Sequence, residues 1–237
     1  MCLAAVESFS PLHPTFRKQC ERYGFPYFDD AETLNQKAYS CPHCNAFDRT
    51  RLQALFLDHE LARGPADRPL RLLHVAPEVG FERWLARHPN VRRVTMNLSP
   101  GAADLHADLC AMPQVPDASF DCFICSHVLE HVADDRAAMR ELYRTLAPEG
   151  WGIAMVPLYP ERVLRTDEDP GERSPEERVR RFGKDDHVRL YAKRDFLGRL
   201  AQAGFAVEQL GSAQFGAGTF ARCGISPGSV LYVVRKG

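Results

Sequence analysis

Residues 70–80 read Leu-Arg-Leu-Leu-His-Val-Ala-Pro-Glu-Val-Gly, an apolar run followed by a turn. The run from Leu70 to Val75 is short and largely apolar, which predicts a buried strand. The turn after it contains the small residues Ala76 and Gly80, and Phe81–Arg87 then has a helical pattern. In open α/β sheets, ligands bind beyond the carboxyl ends of the strands, where such turns lie. The turn alone is equally consistent with a plain connection, because Glu78 stands where a glycine is expected.

The alternation of strand and helix continues to the end of the chain. Apolar runs predict further strands at Val91–Met96, Phe120–Cys125, Trp151–Val156, Phe205–Leu210 and Ser229–Arg235. Helices are predicted between them, one with Asp134 as its N-cap and ending at Gly150, and another over Asp195–Ala203. Largely apolar strands separated by helices indicate a parallel sheet covered on both faces. We therefore predict an α/β, doubly wound, mostly parallel fold.

Two segments depart from this alternation. Residues 1–47 are rich in proline and aromatic residues without a regular period, and a helical pattern over Arg51–Leu61 ends at Gly64-Pro65. We expect an N-terminal appendage over residues 1–64 and the α/β domain over residues 65–237. Within that domain, residues 160–190 contain 17 charged residues and show no strand signal. Because Ser174-Pro175-Glu176-Glu177 is typical of a helix start, we expect a partly helical, lid-like insertion there.

Composition and charge exclude several classes of protein. The 237 residues include 30 basic and 31 acidic side chains, a balance that argues against a dedicated nucleic-acid binder. No apolar run is long enough to predict a membrane span, and the first residues lack the basic region of a secretory signal. The eight cysteines do not have the dense spacing of a disulfide scaffold. We therefore expect reduced thiols in a cytoplasmic protein.

Several motifs follow the first turn in a fixed order. They are Ala107-Asp108-Leu109, Met112-Pro113, the stretch from Ser119 to Val132, and Leu146-Ala147-Pro148-Glu149-Gly150-Trp151. The series resembles the class I S-adenosylmethionine-dependent methyltransferases, over roughly residues 70–235. More narrowly, it is similar to a bacterial methyltransferase family with an N-terminal cysteine-pair segment, whose first loop reads Leu-His-Val-Ala-Pro-Glu, as residues 73–78 do. The resemblance extends to Phe182-Gly183 and Asp186–Tyr191 of the insertion.

This resemblance implies a Rossmann-like, seven-stranded sheet and S-adenosyl-L-methionine as cofactor. The implied cofactor-binding residues are His74, Ala76, Pro77, Glu78, Gly80, Asn97, Leu98, Asp108, Leu109, Ser126 and His127. Asp108 would accept a hydrogen bond from the adenine amino group, while Ser126 and His127 would border the sulfonium. His74 and Asn97 occupy positions at which the family usually has acidic residues. An amide accepts only through its carbonyl oxygen, so the ribose contact of Asn97 should be weaker than that of a carboxylate.

Two histidines are the predicted catalytic residues, His127 and His187. A histidine can act as the base when an acceptor must lose a proton before methylation. Arg189 and Tyr191 share one face of an extended segment and, with His187 and Tyr159, are predicted to bind the acceptor. A solvated salt-bridge surface, or a buried aromatic at position 159, is the competing interpretation. His131 is interpreted as a structural residue.

Cys41-Pro42-His43-Cys44 has the Cys-x-x-Cys spacing of half a zinc site. The partner pair that relatives carry is missing here, and only Cys20 lies nearby, with Cys2 and His13 further away. Cys20, Cys41 and Cys44 are therefore candidate zinc ligands, with ordinary buried thiols as the favoured alternative.

The leading hypothesis is an S-adenosylmethionine-dependent methyltransferase of small-molecule biosynthesis, acting on an oxygen, nitrogen or sulfur atom. A glycan or lipid-linked acceptor is an alternative substrate class. A non-catalytic binding module of the same fold is the alternative from another class, and calorimetric titration with S-adenosylmethionine separates the two. Neither a nucleic-acid partner nor a membrane partner is expected, and the oligomeric state is left open.

Overall fold

A computed structural model of the chain describes residues 6–61 and 67–237. The helices in this part are α1 (Pro14–Tyr23), α2 (Asp48–Leu61), α3 (Val79–Leu85), α4 (Asp135–Thr145), α5 (Pro175–Phe182), α6 (Lys193–Gln202), α7 (Ser212–Phe215) and α8 (Ala217–Arg222). The strands are β1 (Leu70–Val75), β2 (Val91–Asn97), β3 (Leu105–His106), β4 (Phe120–Ser126), β5 (Leu146–Met155), β6 (Asp167–Glu168), β7 (Arg189–Leu190), β8 (Ala206–Leu210) and β9 (Leu231–Arg235).

Seven strands form one sheet in the order β3-β2-β1-β4-β5-β9-β8. Strands β1 to β5 pair in parallel, whereas β9 is antiparallel to both β5 and β8. The predicted doubly wound, mostly parallel α/β fold is confirmed. The strand order reverses between β1 and β4, the topological position at which open α/β sheets bind ligands.

Successive side chains of β1 pack alternately in two hydrophobic cores, one on each face of the sheet. Leu73 and Val75 pack in one core with α4 and α6, through side chains such as Met139 and Phe196. Leu70 and Leu72 pack in the other core with α2, α3 and α8. A strand buried on both faces needs apolar residues at consecutive positions, which explains why the run at residues 70–75 is continuous rather than alternating.

The helix and strand ends agree with their sequence signals in some places and differ in others. Asp134 caps α4 by accepting a hydrogen bond from the Ala137 amide, and Ser174 caps α5 in the same way, as predicted. The helix predicted to end at Gly150 ends instead at Thr145, because β5 already begins at Leu146 and pairs with Phe120. The register shifts after that pair, so the added residues form an irregular section of β5.

Residues 160–190 form α5 together with a small antiparallel sheet of β6 and β7. This sheet corrects the expectation that the insertion contains no strand. Each of the two strands has only two residues, too few for any alternation to show in the sequence. The apolar side chains of Val179 and Phe182 are buried, so the insertion is packed onto the rest of the fold.

The N-terminal segment is closely integrated with the α/β domain. Leu52 and Leu57 of α2 lie in the core on one face of the sheet, and buried Arg51 donates hydrogen bonds to the Cys223 and Gly224 carbonyls. The predicted helix break at Gly64-Pro65 and the boundary between residues 64 and 65 lie outside the described residues, as do Met1 and Cys2. Among the helices that the structure describes, none has the length and apolar character required to cross a membrane.

Candidate active site

Two strands at the reversal point end in strained backbone. Ala76, after β1, has a φ of 50°, and His127, after β4, has a φ of 57°. Their amides are held by the carbonyls of Met96 and Met155, respectively, at 2.8 Å. A left-handed conformation is costly for residues other than glycine and often marks a functional site. Both turns are thus fixed in place beside the edge where a ligand is expected.

Two cavities open at this edge. The β2-side cavity, of about 410 Å³, is lined by residues that end or follow β1, β2 and β3, among them Asn97, Leu98, Asp108 and Leu109. The β5-side cavity, of about 370 Å³, is lined by Glu78, Ser126, Tyr159 and His187, and by residues of the N-terminal segment. Ala76, His127 and His131 line both cavities. The two cavities therefore adjoin at the strained ends of β1 and β4.

The polar side chains of the β2-side cavity use only part of their hydrogen-bonding capacity within the protein. The Asn97 side-chain oxygen accepts a hydrogen bond from the Ser99 amide at 3.0 Å, which leaves its NH2 group available. One oxygen of exposed Asp108 accepts from the Cys110 amide at 2.8 Å. A carboxylate can accept further hydrogen bonds, so Asp108 retains capacity for a ligand donor.

An ion pair joins the first turn to the N-terminal segment. The Glu78 carboxylate contacts the Arg49 guanidinium and the Thr50 hydroxyl, each at 2.6 Å. The Arg49 side chain is 15% exposed and lines the β5-side cavity, and its Nε has no hydrogen-bond partner. Gln53 of α2 donates to the Ser126 hydroxyl at 2.8 Å. The N-terminal segment therefore holds both strand ends from one side.

Titratable side chains cluster between the two cavities. Glu130 Oε1 lies 3.5 Å from His127 Nδ1 and 3.9 Å from Nε2 of both His131 and His187. Burial raises the pKa of Glu130 to about 8. Burial, with the neighbouring His131, lowers the pKa of His187 to about 3, and burial with nearby Arg49 lowers that of His127. The histidines are consequently neutral at neutral pH, and shifts of this kind concentrate at functional sites.

Comparison with known proteins supports the assignment of the fold. Residues 82–154 match the family model described as a methyltransferase domain. Among solved structures, the CurJ carbon methyltransferase is similar to this chain, with 14% identity and a TM-score of 0.52; the match covers 79% of this chain and 54% of that one. The chain has the Rossmann-like methyltransferase fold.

Two further solved structures are similar to this chain at low identity. An S-adenosylmethionine-dependent methyltransferase from Mesorhizobium loti is 19% identical, with 78% of this chain and 100% of that chain covered and a TM-score of 0.49. The [4+2]-cyclase SpnF is 20% identical, with 77% and 80% covered and a TM-score of 0.49. No curated protein sequence matches the chain significantly.

Three of the predicted cofactor residues are not among those lining either cavity. Buried His74 lies on the α3 face of β1, where its Nδ1 is 2.6 Å from the Glu82 carboxylate. Pro77 contributes to neither cavity lining. Gly80, at the start of α3, lies directly against backbone of the N-terminal segment. The remaining eight line one cavity or both, and their role in binding stays a prediction.

Gly80 is explained by this close approach. A Cβ atom at residue 80 would lie 2.8 Å from the Cys44 carbonyl oxygen and 3.1 Å from the Ala46 amide nitrogen. We expect Gly80→Val to lower the free energy of unfolding by about 1–3 kcal/mol, as overpacking does, measured by urea denaturation. Gly198→Ala, inside α6 with nothing nearby, is the control and should raise stability by about 0.5–1 kcal/mol. Equal stability of Gly80→Val and wild type would contradict the packing role.

The structure corrects the expectation that Arg189 and Tyr191 line the acceptor pocket. Arg189 is 2% exposed and donates to the carbonyls of Leu129, Val132 and Ala133. The Tyr191 side chain is fully buried, and its hydroxyl donates to Asp135. Neither belongs to a cavity lining, whereas Tyr159 and His187 line the β5-side cavity. The alternation of residues along the strand correctly predicted that Arg189 and Tyr191 share one face, but this face packs in the core rather than facing a cavity.

The candidate zinc ligands do not converge. Cys20 packs with Phe25 and Phe182, and its thiol lies 3.7 Å from the Gly183 carbonyl. Cys41 and Cys44 pack with Ala46 in a separate cluster. The hypothesis of a site that joins Cys20 to Cys41 and Cys44 is therefore not supported, because these cysteines serve different hydrophobic clusters. His13, also considered for that site, lies at the start of α1 and accepts a hydrogen bond from the Thr15 amide.

The sequence did not identify the N-terminal wall of the β5-side cavity. Phe16, Phe28, Tyr39 and Arg49 line this cavity from the N-terminal segment. The signal available was the density of aromatic residues before position 48, together with Arg49 in a stretch that resembles the family. Contacts across long sequence separations bring these residues to the sheet, and periodicity carries no information about such contacts.

Proposed function

We propose that this chain is an S-adenosylmethionine-dependent methyltransferase that acts on a small-molecule acceptor. The observation that carries the proposal is the pair of adjoining cavities at the strand-order reversal, with Ala76 and His127 between them. Methyl transfer needs a donor and an acceptor in contact, and two joined compartments provide this arrangement. The matched methyltransferase-domain model over residues 82–154 supports the same activity.

The β2-side cavity fits the adenosine part of the cofactor. Its volume of about 410 Å³ lies within the usual range for ligand pockets, and most of its lining surface is apolar. Asp108 retains acceptor capacity for the adenine amino group, beside Leu98 and Leu109. The Asn97 oxygen is already engaged by Ser99, so Asn97 would meet the ribose as a donor through its NH2 group.

The ion pair of Glu78 and Arg49 fits the charged end of the cofactor. An amino acid presents an ammonium and a carboxylate, and these two side chains offer the complementary charges within one cavity wall. The unpartnered Arg49 Nε adds a buried donor that a carboxylate would satisfy. We assign Glu78 to the ammonium and Arg49 to the carboxylate; His74 lines neither cavity and is paired with Glu82 instead.

The β5-side cavity would hold the acceptor beside the methionine end of the cofactor, which lies against Glu78 and Arg49 of the same cavity. Its volume of about 370 Å³ suits a small molecule, and aromatic side chains of the N-terminal segment form part of its wall. His127 borders both cavities, so its imidazole lies at the junction of donor and acceptor. His187 and Tyr159 face the acceptor compartment. An oxygen, nitrogen or sulfur acceptor is compatible with this lining, and a glycan or lipid-linked acceptor is the alternative class.

S-adenosylmethionine would supply a methyl group bound to a positively charged sulfonium. When the bond from carbon to sulfur breaks, S-adenosylhomocysteine would leave as a neutral thioether. His127 takes the acceptor proton through a ring nitrogen, so that the acceptor electron pair forms the new bond to carbon. The backbone at Ala76 and His127, fixed at the ends of β1 and β4, would hold the residues that contact both reactants in place.

The proposed activity is tested by acceptor-dependent formation of S-adenosylhomocysteine. The full chain is incubated with S-adenosylmethionine and small molecules that carry hydroxyl, amine or thiol groups, and both products are measured by mass spectrometry. We expect one acceptor class to gain a methyl group in step with S-adenosylhomocysteine. A chain that binds the cofactor but methylates none of the three classes would contradict the proposal and favour a binding module.

Asp108→Ala should weaken S-adenosylmethionine binding. Loss of the acceptor for the adenine amino group should cost about 1–3 kcal/mol, which corresponds to about 5- to 150-fold in the dissociation constant measured by calorimetry. The matched control is Asp58→Ala, at an exposed position of α2 away from both cavities. An unchanged dissociation constant in Asp108→Ala would remove Asp108 from the site.

A further inference from the structure

Three side chains with metal-ligating atoms converge where the two cavities adjoin. Glu130 and His131 follow β4, and His187 precedes β7 in the insertion. One ligand atom from each lies within 4.8 Å of the others, the one such group of three found among residues 6–61 and 67–237. All three residues line the β5-side cavity. Two chain segments far apart in sequence thus meet at one point of the cavity wall.

Glu130 has the features of a side chain that binds a cation. It is 1% exposed, and neither carboxylate oxygen has a hydrogen-bond partner. A buried carboxylate without a partner is costly, so such groups in proteins are paired or coordinate metals. Lys184 also lines the cavity, but its ammonium is paired with Asp186 at 3.0 Å. Glu130 Oε1 lies instead 3.5 to 3.9 Å from nitrogen atoms of three histidines.

The two histidines are oriented as metal ligands. His131 Nδ1 lies 3.3 Å from the Asp186 carbonyl oxygen, and His187 Nδ1 lies 3.1 Å from the Phe182 carbonyl oxygen. These contacts assign the proton to Nδ1, which donates to the carbonyl and leaves the Nε2 lone pair free. Each Nε2 lies 3.9 Å from Glu130 Oε1. A backbone carbonyl that fixes the non-ligating nitrogen is a regular feature of histidine metal ligands.

We propose that Glu130, His131 and His187 bind a divalent first-row transition metal such as Zn²⁺. Glu130 Oε1 lies 3.9 Å from each histidine Nε2, and the three ligand atoms lie within 4.8 Å of one another. An ion between them would lie about 2.3–2.5 Å from each atom, slightly beyond the ~2.0–2.2 Å of zinc bonds to nitrogen and oxygen. Three protein ligands leave coordination positions open, as in catalytic zinc sites. Because all three residues line the β5-side cavity, an open position can face its interior.

The chemical use of the ion rests on the proposed function. An acceptor oxygen bound at the open position would be oriented toward the methyl donor, and its proton would be lost more readily to His127. The acceptor oxygen then forms the bond to the methyl carbon while the bond from carbon to sulfur breaks. Such an ion would lower the pKa of a bound hydroxyl or thiol, whereas it would occupy the lone pair with which an amine attacks, so the site favours a hydroxyl or thiol acceptor over an amine.

Metal binding is tested on the full chain after chelation and dialysis. Calorimetric titration with ZnCl2 should give one ion per chain, and Glu130→Gln and His187→Ala should each weaken binding at least 100-fold. Glu130→Gln is nearly isosteric, and circular dichroism of every variant verifies that it is folded. Cys41→Ser is the matched control, because it removes the Cys-x-x-Cys pair and should leave this affinity unchanged. Cobalt(II) added in place of zinc should give a visible spectrum without the charge-transfer band of a thiolate ligand.

Three results would overturn the metal site: no stoichiometric ion in the wild type, undiminished affinity in folded Glu130→Gln, or loss of binding in Cys41→Ser. Titration of the same samples with S-adenosylmethionine separates the two proposals. Zinc binding without cofactor binding would contradict the proposed function and leave the metal site intact, whereas cofactor binding without zinc binding would reject only the metal site. For a hydroxyl acceptor, chelation should reduce turnover without changing the cofactor dissociation constant.

Discussion

Replacing Arg189 with alanine should lower the free energy of unfolding by about 3–5 kcal/mol, the range for removing one member of a buried charged network. The guanidinium donates hydrogen bonds to three backbone carbonyls of the segment after β4. The distances are 2.7 Å to Leu129, 2.5 Å to Val132 and 3.0 Å to Ala133. The guanidinium also pairs with Glu168 at 3.2 Å. Without it, the carbonyl of buried Leu129 loses its donor and the buried Asp135 carboxylate loses a positive charge 3.9 Å away, and these two desolvated groups account for the size of the effect.

Urea denaturation of the purified variants measures this loss. Arg194→Ala is the matched control, since Arg194 is an exposed arginine of α6 and its removal should change stability by no more than about 0.5 kcal/mol. Arg189 also fixes the segment that contains Glu130 and His131, so the variant should bind Zn²⁺ more weakly as well. If Arg189→Ala and Arg194→Ala unfold at the same urea concentration, the buried network does not hold this segment.

The second large effect is expected at His127. Replacement by glycine removes the imidazole and also relieves a left-handed backbone conformation with a φ of 57°. We expect turnover to fall by about 10²–10⁴-fold, the usual contribution of general acid–base catalysis. The free energy of unfolding should stay within about 1 kcal/mol of the wild type, because glycine adopts this conformation at no steric cost. The assay uses the acceptor class that the wild-type chain methylates.

Ala118→Gly provides the matched control for His127→Gly. Ala118 has a similar φ of 54° but lies outside both cavity linings. Its replacement should leave turnover unchanged, so a loss confined to His127→Gly reports the imidazole rather than the backbone. Turnover in His127→Gly close to that of the wild type would exclude His127 as the base.

The sheet could be predicted from the sequence because its signals are local. The strand at Leu70–Val75 is continuous and apolar, and the structure gives it those bounds. Asp134 and Ser174 act within one helical turn, so their caps are also visible in the sequence. The strand β3 and the pair of β6 and β7 have two residues each, and tertiary contacts rather than local pattern define them.

The candidate site was harder to predict because it depends on contacts between distant segments. Asp108 and the first turn were found through motif order, and Asp108, Ala76 and Glu78 line the cavities in the structure. The pairing of Arg49 with Glu78 and the approach of Cys44 to Gly80 join residues about 30 positions apart, and no local period encodes them. Arg189 misled the prediction because alternation gives the side of a strand but not whether that side faces a cavity or the core.

The grouping of Glu130 with His131 and His187 shows the same limit. The pair Glu130-His131 was visible in the sequence and was interpreted as structural, since nothing local shows that His187 lies beside it. The insertion that carries His187 is anchored by buried Phe182 and by Arg189, so its fold determines where the third ligand lies. The charged insertion thus contributes to the candidate site through a few buried residues rather than through its exposed charges.

The most direct test of the central claim is calorimetric titration of the full chain with S-adenosylmethionine. The adjoining cavities at the ends of β1 and β4 predict one binding site per chain, with affinity reduced in Asp108→Ala and retained in Asp58→Ala. S-adenosylhomocysteine should compete for the same site, since it shares the adenosine and amino-acid parts. A folded chain that shows no heat of binding with either compound, at concentrations up to the millimolar range, would contradict the claim that these cavities form a methyltransferase cofactor site.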